Sequence, residues 1–148
     1  MKIDTITNLI MDIPMLLCRN MNKQFVNTTL VEFESGFSQH HFMVLKLLND
    51  NEILYVTEIV EKLSITKSQM TATIDKLIQL EYVKRKNDDN DRRKVLLVIT
   101  QKGVIITDKI IESLNARISK NIKQLTTEES KKLEEGINLL FKFCEIYK

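Results

Sequence analysis

The fold of this 148-residue chain is decided by the stretch LSITKSQMTATIDKL, residues 63–77. Ser64-Ile65 is typical of a tight turn, and Thr66 belongs to the residue types that cap helix N-termini. Apolar residues then recur at i, i+4 and i+7, which predicts the buried face of an amphipathic helix: Met70, Ile74 and Leu77. A preceding helix, capped by Thr57, has its own inward face: Ile59, Val60 and Leu63. Two short helices joined by a tight turn predict a helix-turn-helix.

A strongly basic hairpin follows the second of these helices. Residues 82–86 and 94–99 are expected to be antiparallel strands on either side of the turn-rich segment 87–91. Between residues 84 and 94 the chain has six basic and three acidic residues, a local charge of +3, whereas the whole chain carries +2. Positive charge on a protruding turn beside a short polar helix is the electrostatic footprint expected for a phosphate backbone.

The segment before the helix-turn-helix has signals for a third helix and a strand. Gly36-Phe37-Ser38 predicts a helix break followed by an N-cap at Ser38. The helix that starts there carries an apolar face: Phe42, Leu45 and Leu48. Residues 49–52 are then expected to form a polar loop, and residues 53–56 a short strand.

An apolar stripe near the N-terminus predicts a helix that packs against another helix. Its members are spaced alternately by three and four positions: Ile3, Ile6, Ile10, Ile13 and Leu17. Pro14 lies inside this pattern, so we expect a kink there or a second helix that begins near it.

The C-terminal third of the chain is also expected to be helical. One apolar stripe consists of Ile111, Leu114, Ile118, Ile122 and Leu125, and another of Leu133, Ile137, Leu140, Phe141 and Cys144. Thr126 and Glu129 have the spacing of a capping box that opens the last helix. Burial in a core would explain such stripes. Since no further domain is expected to cover these helices, we predict that they form a dimerisation layer together with the N-terminal stripe.

Composition excludes several classes of protein. The chain is 43% hydrophobic and 28% charged, as in soluble globular proteins, and no apolar run approaches the roughly 18 residues of a membrane span. The N-terminal segment lacks the basic start and clean apolar core of a signal peptide, so we expect a cytoplasmic protein. The two cysteines lack metal spacing, and His40 and His41 belong to no ligand pattern. With neither a phosphate loop nor a nucleophile motif, we expect no metal, no cofactor and no enzymatic activity.

The second helix of the helix-turn-helix leaves a polar face that can read DNA. Short donors and acceptors near a helix N-terminus reach base edges, Gln can pair bidentately with adenine, and the helix N-terminus favours a phosphate. The candidate residues are Thr66, Lys67, Ser68, Gln69, Thr71 and Lys76. An ordinary amphipathic helix with a solvated polar face has the same periodicity, so this pattern alone does not establish DNA binding.

The basic hairpin supplies a second set of candidate contacts. Basic residues on such a turn suit a wing that enters the minor groove, where the narrow width deepens the negative potential. Asp91 is two residues before Arg93 and is expected to hold its guanidinium in place. The candidate residues of the wing are Arg85, Asp91, Arg92, Arg93 and Lys94. A solvated hairpin with surface ion pairs of roughly 0–1 kcal/mol each is the alternative, but the hairpin and the helix-turn-helix together are more specific than either alone.

These motifs together resemble the MarR family of winged-helix regulators. The matching runs are LSITKSQMT at 63–71, DKL at 75–77, YVKR at 82–85, and DRR at 91–93 leading to Ile99-Thr100. Residues 37–39 and 125–129 fit the family as well, so the resemblance covers nearly the whole chain. Its most specific element is the Asp-x-Arg wing followed six residues on by Ile99-Thr100.

The resemblance implies a mainly α fold with a small antiparallel β-wing and about six helices, in a single domain over residues 1–148. Residues 38–100 would form the winged helix-turn-helix lobe that binds DNA, and residues 1–35 and 101–148 a helical dimerisation region. The family implies a homodimer on double-stranded DNA, with the second helix of each helix-turn-helix in a major groove of a pseudo-palindromic operator. It further implies repression that is usually relieved by a small-molecule effector or by thiol oxidation.

Two positions depart from the family pattern. Glu81 occupies the position after the recognition helix where the family usually has Gly. If that position needs a positive φ, a non-Gly residue costs on the order of 1 kcal/mol. His40-His41 replaces the usual Pro and Gln, which leaves open what this helix contacts.

Cys18 is a candidate redox residue, because thiol-sensing members of such families carry their reactive cysteine on the first helix. A small buried hydrophobe within the N-terminal stripe is the alternative, since a reactive thiol needs nearby positive charge and the adjacent Arg19 does not face it. Two other functional hypotheses stay open at this point. One is a Cys18 thiol sensor that binds DNA, and the other is a winged-helix protein-interaction module without DNA affinity.

Overall fold

The computed structural model describes residues 3–16, 27–88, 91 and 93–146. These residues form seven helices and one three-stranded antiparallel sheet, which is the mainly α fold that the sequence predicts. In chain order the elements are α1 (Ile3–Leu16), α2 (Asn27–Phe33), α3 (Gln39–Asn51), β1 (Ile53–Tyr55), α4 (Val56–Leu63), α5 (Lys67–Gln79), β2 (Val83–Asn87), β3 (Val95–Ile99), α6 (Gln101–Ile122) and α7 (Thr127–Ile146). The short α2 is the one helix among them that the sequence patterns did not single out.

The helix-turn-helix consists of α4 and α5, and the wing consists of β2, β3 and the turn between them. Ser64 adopts a left-handed conformation with φ 50°, which lets the chain reverse direction over very few residues between the two helices. In the wing, Val83 lies opposite Ile99 and Asn87 lies opposite Val95. The strand order is β1-β3-β2, so β3 is the central strand and ties the wing to β1.

One apolar cluster joins α3, α4 and α5 to the sheet. The predicted inward face of α5 is confirmed, because Met70, Ile74 and Leu77 are at most 3% exposed. They belong to the same cluster as fully buried residues of the neighbouring elements: Val44, Leu45, Leu48, Ile59, Leu97 and Ile110. This core fixes the orientation of α5 and leaves its opposite face in solvent.

The end of α3 differs from the sequence-based expectation. Residues 49–52 were expected to form a polar loop, but α3 continues to Asn51. The Asn51 side-chain amide donates to the Leu47 carbonyl at 2.8 Å, and the Glu52 N–H donates to the Leu48 carbonyl at 2.6 Å. Polar side chains therefore support the last turn of α3, which ends where Glu52 adopts φ 64°.

The start of α4 also differs from the expectation by one or two residues. Thr57 was expected to cap this helix, but Val56 is already helical and Tyr55 occupies the N-cap position. The Tyr55 N–H donates to the Glu58 carboxylate at 2.8 Å, which satisfies a backbone donor at this end of the helix. The last residue of β1 is therefore also the residue from which α4 starts.

The chain divides into two compact units, residues 1–114 and 115–148, with the boundary inside α6. In the first unit, α1 runs through Pro14 to Leu16 and has no buried residue; Leu17, the last member of the N-terminal stripe, lies outside the described residues. In the second unit, α7 has no buried residue either, and the capping box of Thr126 and Glu129 that opens it is confirmed.

Within the described ranges, none of the helices has the length and apolar character needed to cross a membrane.

Candidate nucleic-acid interface

A reciprocal cap builds the N-terminus of α5. The Gln69 N–H donates to Thr66 Oγ1 at 3.2 Å, and the Thr66 N–H donates to Gln69 Oε1 at 3.1 Å, which is a capping box. The prediction that Thr66 caps this helix is thereby confirmed. Because Gln69 Oε1 is engaged here, a bidentate contact of Gln69 with adenine requires the side chain to leave the cap.

The face of α5 opposite the core is exposed along its first two turns. It carries Lys67, Ser68, Gln69, Thr71 and Ala72. The Thr71 hydroxyl donates to the Lys67 carbonyl at 3.0 Å, so its oxygen is held close to the helix surface. Lys76 has a different environment, because its ammonium lies 4.0 Å from the carboxylate of Glu34, the residue after α2, and its side chain is only 31% exposed. The predicted DNA contacts of α5 therefore separate into an exposed N-terminal set and a half-buried Lys76.

The chain leaves α5 through a left-handed residue, Glu81, with φ 62°. The Tyr82 N–H donates to the Leu77 carbonyl at 3.0 Å and the Glu81 N–H donates to the Ile78 carbonyl at 2.9 Å. This is a Schellman motif, in which the left-handed position is usually Gly. The position after the recognition helix therefore does need a positive φ, and the non-Gly residue Glu81 adopts it at a backbone cost on the order of 1 kcal/mol.

Asp91 holds Arg93 in the wing. Asp91 Oδ1 accepts the backbone N–H of Arg93 and its Nε–H, both at 3.1 Å. The hydrogen bonds from the Arg93 side chain and then from its backbone lower the pKa of the Asp91 carboxyl, which keeps it charged. The Arg93 side chain itself is 91% exposed, and Arg92 lies outside the described residues. The expected contact between Asp91 and Arg93 is thus confirmed.

Arg85 connects the wing to α5. Its Nη2 donates to Asp75 Oδ1 at 2.8 Å, and both side chains are about half exposed. An exposed ion pair of this kind contributes roughly 0–1 kcal/mol to stability. Its consequence is geometric, since it aligns the first strand of the wing with the exposed face of the helix.

An open cleft of about 310 Å³ lies between α4, α5 and the wing. Four of the predicted DNA contacts line it, one on α5, one on β2 and two in the wing turn: Thr71, Arg85, Arg93 and Lys94. Tyr55, also in the lining, was predicted only as a strand residue. Its hydroxyl donates to the Asp88 carboxylate 33 positions away, and no local sequence pattern encodes such a contact.

His41 has a structural role in the lobe. Its Nδ1 accepts the Ser38 N–H at 2.9 Å, its ring stacks on Phe37 with 5.0 Å between centroids, and the residue is 9% exposed. Burial first, and then the charges of Lys76 and His40, lowers the pKa of His41. The departure from the family pattern at this position therefore forms a cap for α3.

Within the described ranges, no group of three or more His, Cys, Asp or Glu side chains is placed to hold a metal ion. Cys144 is exposed on α7. Cys18 lies outside the described residues, so its redox role stays a prediction.

The fold has a helix-turn-helix followed by a β-hairpin wing, and a strand before the first of the two helices completes the sheet. This arrangement defines the winged helix-turn-helix class. The sequence model of the MarR family matches residues 37–95, which contain the helix-turn-helix and most of the wing. The chain is 30% identical over 108 residues to the uncharacterized HTH-type transcriptional regulator YfiV of Bacillus subtilis, covering 73% of this chain and 68% of YfiV. It is also 30% identical over 124 residues to the HTH-type transcriptional regulator PapX of Escherichia coli, covering 81% of this chain and 75% of PapX.

Solved structures have the same fold. The crystal structure of the transcriptional regulator BldR from Sulfolobus solfataricus matches with a TM-score of 0.76 and 25% identity, over 96% of this chain and 99% of BldR. The chain therefore belongs to the MarR family, as its motifs predicted, and is a transcriptional regulator of the MarR type. Regulators of this family bind DNA and are not enzymes.

Proposed function

We propose that the chain is a sequence-specific repressor that binds a pseudo-palindromic operator as a homodimer and is released by a small-molecule effector. The observation that carries the DNA-binding part is the cleft beside α5, which gathers cationic side chains of β2 and of the wing turn next to an exposed helix N-terminus. In the major groove, the contacts would come from the exposed face of α5: Lys67, Ser68, Gln69 and Thr71. The wing would bind the phosphate backbone or the minor groove through Arg93 and Lys94.

The homodimer is supported by apolar side chains that α1 and α7 leave in solvent. On α1, Met11 and Met15 are 70% and 68% exposed, and on α7, Leu139 and Phe141 are 69% and 68% exposed. Large apolar side chains exposed on each of these helices favour an interaction site on that helix. A second copy is the simplest partner, since a two-fold axis would set two α5 helices on half-sites about 10 base pairs apart.

Repression and its relief rest on family membership. A dimer that spans two half-sites covers about two turns of duplex, which excludes other proteins from that DNA. An effector acts by binding the DNA-free form better than the bound form, so it releases the operator in proportion to that difference in affinity. Oxidation of Cys18 is the alternative signal, and oxidant-induced release that persists in Cys18→Ser would exclude it.

The test is a fluorescence-anisotropy titration of the full chain against DNA from upstream of its own gene, beside a scrambled duplex, at several salt concentrations. Tight, steeply salt-dependent and sequence-selective binding supports the proposal. Lack of binding to both duplexes at low salt would favour the protein-interaction module instead, whereas equally weak binding to both would show that the operator lies elsewhere.

Two variants separate positioning from base reading. Arg93→Ala should weaken binding to both duplexes and lower the salt slope by about one, because one phosphate contact is lost. Lys131→Ala removes the same charge from α7, where the side chain is 76% exposed, and should leave the slope unchanged. Gln69→Ala should lose discrimination at particular base pairs by roughly 1–3 kcal/mol per contact. Its thermal unfolding must be followed, because the Thr66 N–H also loses its side-chain acceptor in the capping box.

A further inference from the structure

Tyr55 connects the base of the wing to the helix-turn-helix. It is the last residue of β1 and the N-cap of α4, and its hydroxyl donates a hydrogen bond to Asp88 Oδ2. Asp88 is the first residue after β2 and is 9% exposed. One side chain thus joins the start of α4 to the point where the wing leaves the sheet.

The same Asp88 carboxylate organises the far side of the wing turn. Its Oδ1 accepts the Asp91 N–H at 3.0 Å, and the Asp88 N–H donates to the Lys94 carbonyl at 3.2 Å. The Lys94 N–H in turn donates to the Asp91 carbonyl at 2.8 Å. Because Asp91 also binds the Arg93 guanidinium, hydrogen bonds run without interruption from the Tyr55 hydroxyl to the Arg93 side chain. We call Tyr55, Asp88, Asp91 and Arg93 the wing network.

A second contact of Tyr55 acts on the other cationic residue. The Lys94 ammonium lies 5.6 Å from the centroid of the Tyr55 ring, within the range of a cation–π interaction. The hydrogen bond to Asp88 is the largest cause of a raised pKa of the Tyr55 hydroxyl, so this hydroxyl keeps its proton and remains a donor. Tyr55 therefore contacts the wing with both its hydroxyl and its ring.

Support at the base of the wing turn matters because β2 is an edge strand of the sheet. The side chains of β2 from Lys84 to Asn87 are exposed, so this strand has little apolar packing beyond Val83. Arg93 is almost fully exposed, so a freely rotating guanidinium would lose conformational entropy on binding a phosphate. Holding Arg93 through Asp91 and Asp88 removes part of that loss before DNA arrives.

We propose that Tyr55 is a positioning residue for DNA binding, which fixes the wing through Asp88 so that Arg93 and Lys94 are presented in one arrangement. This role rests on the proposed function, since it assumes that the wing contacts DNA. Tyr55 itself need not touch the nucleic acid.

The first measurement is DNA affinity of full-length Tyr55→Phe, which keeps the ring over Lys94 and removes only the hydroxyl. We expect the dissociation constant to rise roughly three- to ten-fold on both the upstream and the scrambled duplex, which is the net contribution of one ordinary protein hydrogen bond. Tyr82→Phe is the matched control, because its hydroxyl takes no part in the wing network, and it should bind like the wild type. An unchanged affinity of Tyr55→Phe beside a weakened Arg93→Ala would overturn the positioning role and leave the proposed function intact.

A double-mutant cycle separates positioning from a loss of fold. If Tyr55 acts through Arg93, Tyr55→Phe should have little further effect on affinity in the Arg93→Ala background. An equal fold-loss in both backgrounds would show that Tyr55 only stabilises the protein and would refute the proposal. Asp88→Asn keeps an acceptor for the hydroxyl and should bind better than Asp88→Ala.

Hydrogen exchange on the free protein tests the wing network without DNA. The amide of Asp91 donates within the network and that of Lys94 closes the turn, so Tyr55→Phe should speed exchange at both. Unchanged exchange at these amides would overturn the inference even if the wild type binds no DNA, an outcome that would separately defeat the proposed function.

Discussion

The proposed helix-turn-helix lobe, residues 38–100, and the terminal helices α1 and α7 distribute their apolar side chains in opposite ways. In the lobe, Leu45, Leu77 and Leu97 have no exposed surface, and polar residues form the outer face of α5. On α1 and α7 no described residue is buried, and side chains as large as Phe141 stand in solvent. The lobe therefore buries its hydrophobic residues within one chain, whereas the terminal helices leave large apolar side chains in solvent, as the proposed dimer interface would require.

The largest effect is expected from truncating the core of the lobe. Leu45→Ala removes a fully buried side chain of α3 and should lower the free energy of unfolding by about 2–5 kcal/mol. Urea denaturation followed by circular dichroism measures this loss. Leu139→Ala is the matched control on α7, where the side chain is 69% exposed, and it should leave the stability of an isolated protomer nearly unchanged. If both variants lowered the free energy of unfolding of the monomer equally, the lobe and α7 would not differ in how they bury apolar side chains.

The next effect concerns assembly. Phe141→Ala should weaken the proposed dimer, because burying a Phe side chain contributes about 1.5–3 kcal/mol and a symmetric interface contains the residue twice. We expect the dimer dissociation constant to rise at least about a hundred-fold in sedimentation equilibrium. Lys131→Ala, on the same helix, should change it little. A wild-type chain that remains monomeric at high concentration would contradict the interpretation of the terminal helices as a self-interface.

The sequence predicted the lobe well because its signals are local. Caps such as Thr66 and the period of Met70, Ile74 and Leu77 act within a few residues, and tertiary packing agrees with them. The sequence also predicted the hairpin, since its turn composition and charge are local too. Motif positions such as Glu81 became informative only through the family resemblance, and the structure then supplied the positive φ that explains why Gly is usual there.

Contacts between distant segments escaped the sequence analysis. The Tyr55–Asp88 hydrogen bond and the approach of Glu34 to Lys76 join residues far apart in the chain, and neither leaves a periodic pattern. The polar end of α3 was missed for a different reason, because Asn and Asp favour loops unless their side chains find helical partners, as Asn51 does at Leu47. Residue propensity predicted a loop at residues 49–52, but hydrogen bonds to the preceding turn keep the chain helical to Asn51.

A smaller effect, of opposite sign, is expected at Glu81. Glu81→Gly removes a side chain from a left-handed position and should stabilise the lobe by about 1 kcal/mol, less whatever its exposed ion pair with Lys102 contributes. Thermal unfolding measures the gain, and Lys102→Ala controls for the ion pair by removing it without touching the backbone. If Glu81→Gly destabilises the protein more than Lys102→Ala does, the side chain of Glu81 stabilises the fold by more than its backbone strain costs. Such a result would identify a stabilising contact on the surface of the lobe.

The smallest effect is a pH dependence of the stability of the lobe, which arises from the buried His41. The terminal helices α1 and α7 have no buried residue that could act in this way. Burial lowers the pKa of His41 below its ordinary value of about 6.5, and the charges of Lys76 on α5 and of His40 act in the same direction. Above pH 6.5 the contribution of neutral His41 is fully present. As the pH falls from there toward the lower pKa of the folded state, the unfolded chain binds more protons and stability declines.

Urea midpoints at pH 7.5 and 5.5 should show this decline in the wild type and in His40→Gln. In His41→Gln the decline should be smaller, because Gln at this position can keep the capping contact with Ser38 while it cannot titrate. An undiminished loss in His41→Gln would assign the acid sensitivity to other groups of the lobe.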